Sequence, residues 1–359
     1  MLEELQEKLH PYKKYEHYIF FVCGFAFDAL LLHRIDDPLM LIHQGIYLTL
    51  AALLIAWDIF HEEGRFHVTP RLNKFWNYRE GILHFLLGTL LNVYTIFYFK
   101  SGSFIGSIYF LALLALLLFL NEARPKQISK HFLRNMLFGL CLISYMNILV
   151  SIAVGSIGTL VFLLAIAIAY LIHSAYMRFL RSRLEGRKLF RDIHAPFLCI
   201  AAIYMILYFA KVLPPVPLSV KYIGIYHEVQ KEKDEYKLAY TRSKWFFWQN
   251  GDQSFYAKPG DKIICFAKIF SPARFQGKLQ VRWSFKDPKL GWQAWDAIPL
   301  EVSGGREEGF RAYTVKSNYQ AGEWRAAVET EDGREVGRIG FEVIDVDPSY
   351  TSETHYDFH

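Results

Sequence analysis

Long apolar runs separated by short basic connections dominate the first 213 residues. A helix needs about 20 mostly apolar residues to cross a bilayer, and seven runs approach this length. They cover roughly Tyr18–Leu32, Leu39–Phe60, Gly81–Phe99, Ser103–Leu120, Phe132–Ala153, Ile157–Tyr176 and Ala195–Val212. This pattern predicts a membrane all-α domain over residues 1–213, built as a seven-helix transmembrane bundle.

The pattern changes to a period of two after a Pro-rich junction at residues 214–218. Pro cannot continue a helix, and beyond the junction apolar and polar residues alternate, as in Leu279–Phe285 and Trp324–Val328. Alternation is typical of half-buried antiparallel strands, and Asp332-Gly333 between two such runs predicts a hairpin turn. We predict an all-β domain, an immunoglobulin-like antiparallel β-sandwich over residues 219–348, followed by a C-terminal tail over residues 349–359.

Composition supports two domains of different kinds. The chain is 53% hydrophobic and 21% charged, whereas soluble domains average about 45–50% and about 25%. Residues 1–215 carry 20 of the 40 Lys/Arg and 14 of the 35 Asp/Glu, which leaves 20 and 21 for the rest. These values argue against a wholly soluble enzyme, a disordered chain and a strongly basic nucleic-acid binder. Cys265 is alone in the β domain, so no internal disulfide is expected there.

The distribution of basic residues gives an orientation. The N-terminal segment and the connections after the second, fourth and sixth runs hold 17 Lys/Arg, whereas the opposite side holds Arg34, Lys100 and Lys211. Lys and Arg accumulate on the cytoplasmic side of short loops, so we expect a cytoplasmic N-terminus. Seven crossings then place the β domain outside the cytoplasm. The first run is expected to stay in place as a signal anchor, because no cleavage site follows it.

The connection between the sixth and seventh runs is strongly basic. Met177, Leu180 and Leu184 recur there at helical spacing, so the segment is either an amphipathic helix on the inner leaflet or an ordinary positively charged loop. In both cases we expect its cations to meet anionic lipid headgroups. The residues are Arg178, Arg181, Arg183, Arg187, Lys188 and Arg191.

Ionisable residues within the apolar runs form a candidate chemical site. Such residues are costly in a bilayer and often functional, and most of them lie towards the cytoplasmic ends of the runs. One interpretation is a catalytic or proton-conducting set of Asp28, Asp58, His84, Glu122 and His173, with His43 as the partner of the deep Asp28. If the site is a metal-dependent enzyme, it would bind zinc, with Asp58, His61, His84 and His173 as ligands. The alternative is that the acidic groups, Glu62 among them, pair with basic residues at the helix ends.

Six of the eight Trp lie in the β domain. Trp283 and Trp324 fall on the apolar side of alternating strands and are predicted core residues. Exposed aromatic side chains favour glycan and protein contacts, which makes the other four candidates for ligand binding: Trp245, Trp248, Trp292 and Trp295. The alternatives are packing under a loop and an interfacial belt at the bilayer.

Several short segments carry a family resemblance. They are Pro214–Ser219, Gly305–Arg311, Gly322–Arg325, Val328–Arg334 and, in the membrane half, Phe97–Ile108. In these segments the chain resembles an uncharacterised bacterial family, domain of unknown function 2914. The resemblance implies a bacterial envelope protein and supplies no activity and no catalytic residues.

The sequence favours binding over catalysis. It contains no phosphate-binding loop, dinucleotide fingerprint, zinc-protease motif or nucleophile elbow. The leading interpretation is a multi-pass bacterial inner-membrane protein without cofactor. Its periplasmic β-sandwich binds an envelope protein or glycan, and its helices anchor, assemble or signal. The alternative is an integral-membrane enzyme that resembles metal-dependent hydrolases, or a proton-coupled transporter. No nucleic-acid partner is expected.

Overall fold

The computed structural model describes residues 35–64, 78–102, 129–182, 184–232, 235–272, 275–303 and 309–359, with isolated positions between 76 and 116. Five long helices lie in this part: α1 (Pro38–Glu62), α2 (Arg79–Lys100), α3 (Lys130–Val154), α4 (Thr159–Arg181) and α5 (Gly186–Phe209). Each is long and apolar enough to cross a membrane. The described residues therefore contain five of the seven predicted helices. The predicted spans Tyr18–Leu32 and nearly all of Ser103–Leu120 lie outside the described residues.

Local signals explain where the helices begin and end. The carboxylate of Asp37 accepts a hydrogen bond from the Leu39 amide at 3.0 Å, and Pro38 occupies the first turn of α1. The Ser129 hydroxyl caps α3 in the same way. Gly155 ends α3 with a φ of 69°, a conformation that favours glycine. Because only a few residues separate α3 from α4, the two helices form an antiparallel hairpin, and α3 contacts the other four helices.

Helices α4 and α5 extend further than their apolar runs. The predicted spans end at Tyr176 and begin again at Ala195, whereas α4 continues to Arg181 and α5 begins at Gly186. Only a short connection separates them, so the basic segment does not form a separate amphipathic helix. Long basic side chains explain the difference, because they can leave a helix backbone in the bilayer while their charges reach water. Helix α5 also contains a π-helical turn at Phe190–His194.

The C-terminal half is a β domain of antiparallel sheets with one parallel pair, β4 with β10. Its strands are β1 (Ser219–Tyr226), β2 (Glu228–Glu232), β3 (Glu235–Tyr240), β4 (Ser254–Ala257), β5 (Ile263–Phe270), β6 (Gln276–Asp287), β7 (Gly291–Ser303), β8 (Phe310–Lys316), β9 (Gly322–Thr330), β10 (Glu335–Asp345) and β11 (His355–Phe358). They form three sheets with the orders β1-β5-β8, β4-β10-β9-β6-β7 and β11-β3-β2.

Two apolar cores hold these sheets together. The larger core lies between the β1-β5-β8 sheet and the five-stranded sheet and contains Trp283 and Trp324, both fully buried as predicted. The smaller core lies on the other face of β1 and β5, where Tyr226 and Phe266 pack against Leu238 of β3. Because strand residues alternate between faces, one sheet supplies both cores.

The last residues of the chain are part of the β domain. Residues 349–359 were predicted as a tail, but β11 pairs with β3 from His355 opposite Tyr240 to Phe358 opposite Lys237. The short strand follows a polar segment and has too few apolar positions to show a clear period, so the sequence gives little sign of it. Its pairing covers the edge of β3 that β2 leaves open.

The β domain rests on one end of the helical bundle, which we call the domain end. The guanidinium of Arg334, in the turn between β9 and β10, lies 4.4 Å from the centroid of the Tyr208 ring of α5. Ile157, between α3 and α4, packs against the larger β core, and Phe270 of β5 packs with the helices. The ends of α1 and α4 and the starts of α2, α3 and α5 carry most of the charged residues and lie at the opposite end, which we call the charged end.

Candidate functional site

Asp58 is the centre of an ion-pair cluster at the charged end. Its carboxylate, which is 4% exposed, accepts hydrogen bonds from Arg79 Nε at 2.8 Å and from Arg134 Nη1 at 2.6 Å. Arg134 also reaches Glu80 Oε1, at 3.2 Å. A buried carboxylate is costly unless it is paired, and here α2 and α3 each supply a guanidinium. The cluster therefore ties three helices together.

A second group of ion pairs lies beside the first. Glu62 contacts both Lys130 and His131, whose Nε2 lies 2.7 Å from a carboxylate oxygen. Lys130 Nζ also lies 3.8 Å from Asp58, so Asp58 and Glu62 do share one helix face, as their spacing indicates. Glu63 accepts a hydrogen bond from Lys188 at 2.8 Å. This geometry agrees with the interpretation of acidic groups paired at helix ends.

The histidines of the candidate zinc site lie apart. His173 is buried, its ring is stacked on Phe197 at a centroid distance of 4.1 Å, and neither ring nitrogen has a hydrogen-bond partner among the described residues. His61 packs edge-on against Trp76. His84 is exposed on the side of α2. Within the part of the chain that the structure describes, no group of three or more His, Cys, Asp or Glu residues is placed to hold a metal ion.

The remaining candidates of this set lie elsewhere. Asp28 and Glu122 are outside the described residues. His43 packs at a tilted angle on Tyr47 within its own helix, with ring centroids 4.0 Å apart. The described residues thus bring Asp58 and Glu62 together with cations and do not join them to His84 or His173.

The predicted headgroup-binding residues gather at the charged end. Arg178 and Arg181 are exposed in the last turn of α4, and Arg187, Lys188 and Arg191 are exposed in the first turns of α5. Lys188 is paired with Glu63, and Arg191 donates to the adjacent Asp192. Arg183 lies outside the described residues. The interaction of this set with anionic lipid stays a prediction.

The β domain contains a lysine held inside an aromatic cage, which the sequence did not indicate. The side chain of Lys316 on β8 is 1% exposed and contacts Asp296, and its ammonium donates to Asn318 at 2.8 Å. The ammonium also lies 5.0 Å from the ring centroid of Trp324 and 5.9 Å from that of Trp283. Cation–π attraction and the carboxylate together compensate for burial of the charge.

Two of the candidate binding tryptophans lie on β7 and are half exposed. Trp295 is 40% exposed, and its ring packs on Trp324 at a centroid distance of 5.1 Å. Trp292 is 38% exposed and carries the guanidinium of Arg325 4.0 Å from its ring centroid. Each ring therefore contacts another side chain of the β domain on one face, and its other face is exposed at the surface.

The other two tryptophans belong to an exposed aromatic loop, Trp245–Trp248. Trp245 is 84% exposed, Phe247 81% and Trp248 64%, although aromatic side chains are normally at least partly covered. Phe246 and Phe247 both pack edge-on against Trp248. The loop therefore presents a contiguous apolar surface to its surroundings.

A buried carboxylate fixes the base of this loop. Asp252 is fully buried and accepts hydrogen bonds from the Arg242 amide at 2.7 Å and the Thr241 amide at 2.8 Å, while His227 Nε2 lies 3.3 Å away. Its own amide donates to the Ile225 carbonyl at 2.7 Å. The two ends of the loop are thereby joined. Asp252 was not predicted as a site residue, because a single Asp after Gly in a loop carries no distinctive pattern.

The aromatic positions lie at the end of the β domain that is far from the helices. Leu279 of β6 is opposite Thr330, which adjoins the turn on α5, whereas Lys286 is opposite Trp292. Seven residues of strand separate Leu279 from Lys286, about 23 Å at the usual rise. The aromatic loop is linked through Asp252 to Ile225, near the far end of β1. An interfacial aromatic belt would lie next to the ends of the helices. The aromatic positions lie far from those ends, so their placement does not fit such a belt.

Comparison with known families supports the C-terminal resemblance. Residues 276–343 match the family described as protein of unknown function (DUF2914). The match runs from β6 almost to the end of β10 and confirms the predicted C-terminal DUF2914 domain. None of the curated proteins matches the chain.

Solved structures with similarity to the chain share little sequence with it. An immunoglobulin-like protein from Pseudomonas aeruginosa is 15% identical over 36% of this chain and 98% of its own, with a TM-score of 0.21. A β-glucosidase from intestinal bacteria involved in saponin metabolism is 8% identical over 37% of this chain, with a TM-score of 0.23. A β-glucosidase from Listeria innocua in complex with glucose is 11% identical over 32% of this chain, with a TM-score of 0.20. The chain spans 17% of the length of each β-glucosidase.

Proposed function

We propose that the protein is a bacterial inner-membrane binding protein. Its helices anchor the β domain on the outer side of the membrane, and the β domain binds an envelope partner, either a protein or a glycan. The aromatic loop is the contact surface in this proposal. The bundle serves as anchor and assembly or signalling element.

The charge distribution of the helices supports this orientation. The β domain lies at the domain end, where the described basic residues of the bundle are Lys100 and Lys211. The charged end carries eight described cations: Arg79, Lys130, Arg134, Arg178, Arg181, Arg187, Lys188 and Arg191. Positive charge is retained on the cytoplasmic side, so the β domain is proposed to be periplasmic.

The exposure of the aromatic loop is the observation that carries the binding proposal. Large exposed aromatic clusters are unfavourable in water and mark interaction sites. A loop closed at its base by Asp252 is ordered before a partner arrives, which reduces the entropy lost on binding. Trp and Tyr side chains also dominate the free energy of known interfaces. The loop points away from the helices, which in the proposed orientation is towards the periplasm.

Site-specific photocrosslinking in living cells tests this proposal. A photoreactive amino acid replaces Phe247, and the matched control replaces Leu290, which is 74% exposed in the turn before β7 at the same end of the β domain. We expect a discrete adduct from position 247 that is absent from position 290. The adduct should disappear in a Trp245→Ala/Trp248→Ala background. A glycan partner would give an adduct sensitive to muramidase, and a protein partner one sensitive to protease.

Equal crosslinking from both positions would contradict the proposal, as would an adduct that survives the double alanine substitution. Absence of any adduct at position 247 in cells that make the protein at its natural level would also contradict it. Trypsin resistance of the purified variants checks that the β domain remains folded.

A further inference from the structure

A cleft of about 780 Å³ separates the helical bundle from the β domain. The end of α2 forms one wall, and the start of β1, the end of β5 and the start of β10 form the others. The volume falls within the range of about 300–1,000 Å³ that is typical of small-molecule sites. We call it the outer cleft, because it lies at the domain end.

Three basic residues from separate elements line the outer cleft: Lys100, Lys221 and Arg338. Lys221 Nζ lies 5.3 Å from the centroid of the Phe270 ring, and Arg338 Nε lies 3.5 Å from the carboxylate of Glu335. The convergence of these cations therefore favours a negatively charged occupant.

Apolar side chains form the rest of the lining. Phe97 of α2, Phe270 of β5 and Val336 of β10 line the cleft and are buried. Phe99 lies beside them at the end of α2 and is 46% exposed. A small inorganic anion gains nothing from contact with apolar side chains. An amphiphile, in contrast, can bind the cations through its charged head and pack its acyl chain against the aromatic rings.

The depth of the outer cleft matches the level of lipid headgroups. Helix α2 has 22 residues, which corresponds to about 33 Å at 1.5 Å per residue. This length is close to the thickness of about 30 Å of the hydrocarbon layer. Lys100, the last residue of α2, therefore lies at the boundary between the acyl chains and the phosphates on that side.

We propose that the outer cleft binds one anionic phospholipid from the leaflet on the domain side. Its phosphate lies among Lys100, Lys221 and Arg338, and one acyl chain lies along Phe97 and Phe99. The bound lipid would contact both the bundle and the β domain. This proposal depends on membrane insertion and not on the aromatic loop, so it is independent of the envelope partner.

Native mass spectrometry of the full-length protein in detergent tests this site. The purified protein is titrated with phosphatidylglycerol and, separately, with phosphatidylethanolamine of the same chain length. The cleft variant is Lys221→Gln/Arg338→Gln. The control variant is Lys262→Gln/Lys289→Gln, which removes two exposed lysines from the far end of the β domain. A third titration uses inorganic phosphate as competitor.

We expect the wild type and the control variant to retain phosphatidylglycerol in preference to phosphatidylethanolamine. Each basic residue near a membrane surface strengthens binding of an anionic lipid about fivefold. The cleft variant should therefore lose the preference by roughly 25-fold. A photoactivatable phosphatidylglycerol should label peptides that contain residues 97–102 or 336–338 in the wild type.

Four results would overturn the proposal. The first is equal retention of the two lipids by the wild type, and the second is an unchanged preference in a cleft variant whose thermal unfolding matches that of the control. The third is displacement of phosphatidylglycerol by millimolar inorganic phosphate, which would identify the occupant as a free anion. Labelling of other peptides only would also place the lipid elsewhere.

Discussion

Removal of the charge of Asp252 is expected to release the aromatic loop without unfolding the β domain. In Asp252→Asn one oxygen stays as an acceptor, and an amide NH₂ replaces the other. That NH₂ faces either the Thr241 amide or the Arg242 amide. In the wild type each of these amides lies within 2.8 Å of a carboxylate oxygen. A hydrogen bond to a charged group contributes about 1.5–3 kcal/mol, and an unpaired buried donor costs about 1–3 kcal/mol. We expect the loop base to lose about 2–4 kcal/mol.

Hydrogen–deuterium exchange of the full-length protein in detergent measures this loss. Because 1.4 kcal/mol corresponds to a factor of ten, the Thr241 and Arg242 amides should exchange about 30- to 700-fold faster in Asp252→Asn. Amides of β5 and β9 should keep their protection, since local opening leaves the rest of the fold intact. Asp261→Asn is the matched control, because Asp261 accepts a hydrogen bond from the Lys258 amide in another turn. Exchange within about threefold of the wild type at Thr241 and Arg242 would refute the reasoning.

Three further predictions concern other buried polar groups. Burial lowers the pKa of His359, so its neutral form stabilises the β11-β3-β2 sheet above about pH 6.5 and this stability is lost as the pH falls. Exchange of β11 amides should rise between pH 7 and pH 5 in the wild type and change less in His359→Phe. Lys316→Met should unfold within about 1 kcal/mol of the wild type in denaturant, because methionine fills the space of the lysine and the side chain of Asp296, which is 35% exposed, stays hydrated. Lys316→Ala should lose about 2–5 kcal/mol through the cavity. Arg134→Met leaves Asp58 with one guanidinium fewer and should lower stability in detergent by about 3–5 kcal/mol, with part of this loss recovered in Asp58→Asn/Arg134→Met. Equal melting of the single and double variants would contradict the last prediction.

Apolar runs predicted the helices well because the bilayer requires a nearly continuous stretch of hydrophobic residues. Helix ends were predicted less well. Arg178, Arg181 and Arg187 interrupt the hydropathy, yet their backbones are helical, because a helix satisfies its own backbone hydrogen bonds whatever its side chains. Strands β6, β9 and β10 were also predicted well. Each buries one face, and its apolar and polar residues therefore alternate.

Polar residues that the fold buries could not be recognised in the sequence. The alternation of apolar and polar residues does not decide which face of β8 Lys316 lies on. The aromatic cage around it forms only when β6, β7 and β9 pack next to β8. Asp252 acquires its role from the return of the chain beside β1. The exposed aromatic loop was identified by composition, but its separation from the helices follows from strand register. The pairing of Asp58 with Arg134 joins residues that are 76 positions apart.

The central claim is that the aromatic loop and the basic helix ends lie on opposite sides of the membrane. Cysteine labelling in spheroplasts tests it most directly, with Phe247→Cys and Arg181→Cys introduced separately into a variant that lacks the four native cysteines. A membrane-impermeant maleimide should label Phe247→Cys in intact spheroplasts and Arg181→Cys only after lysis. Labelling of Arg181→Cys in intact spheroplasts, with Phe247→Cys protected until lysis, would contradict the orientation and the binding proposal that depends on it.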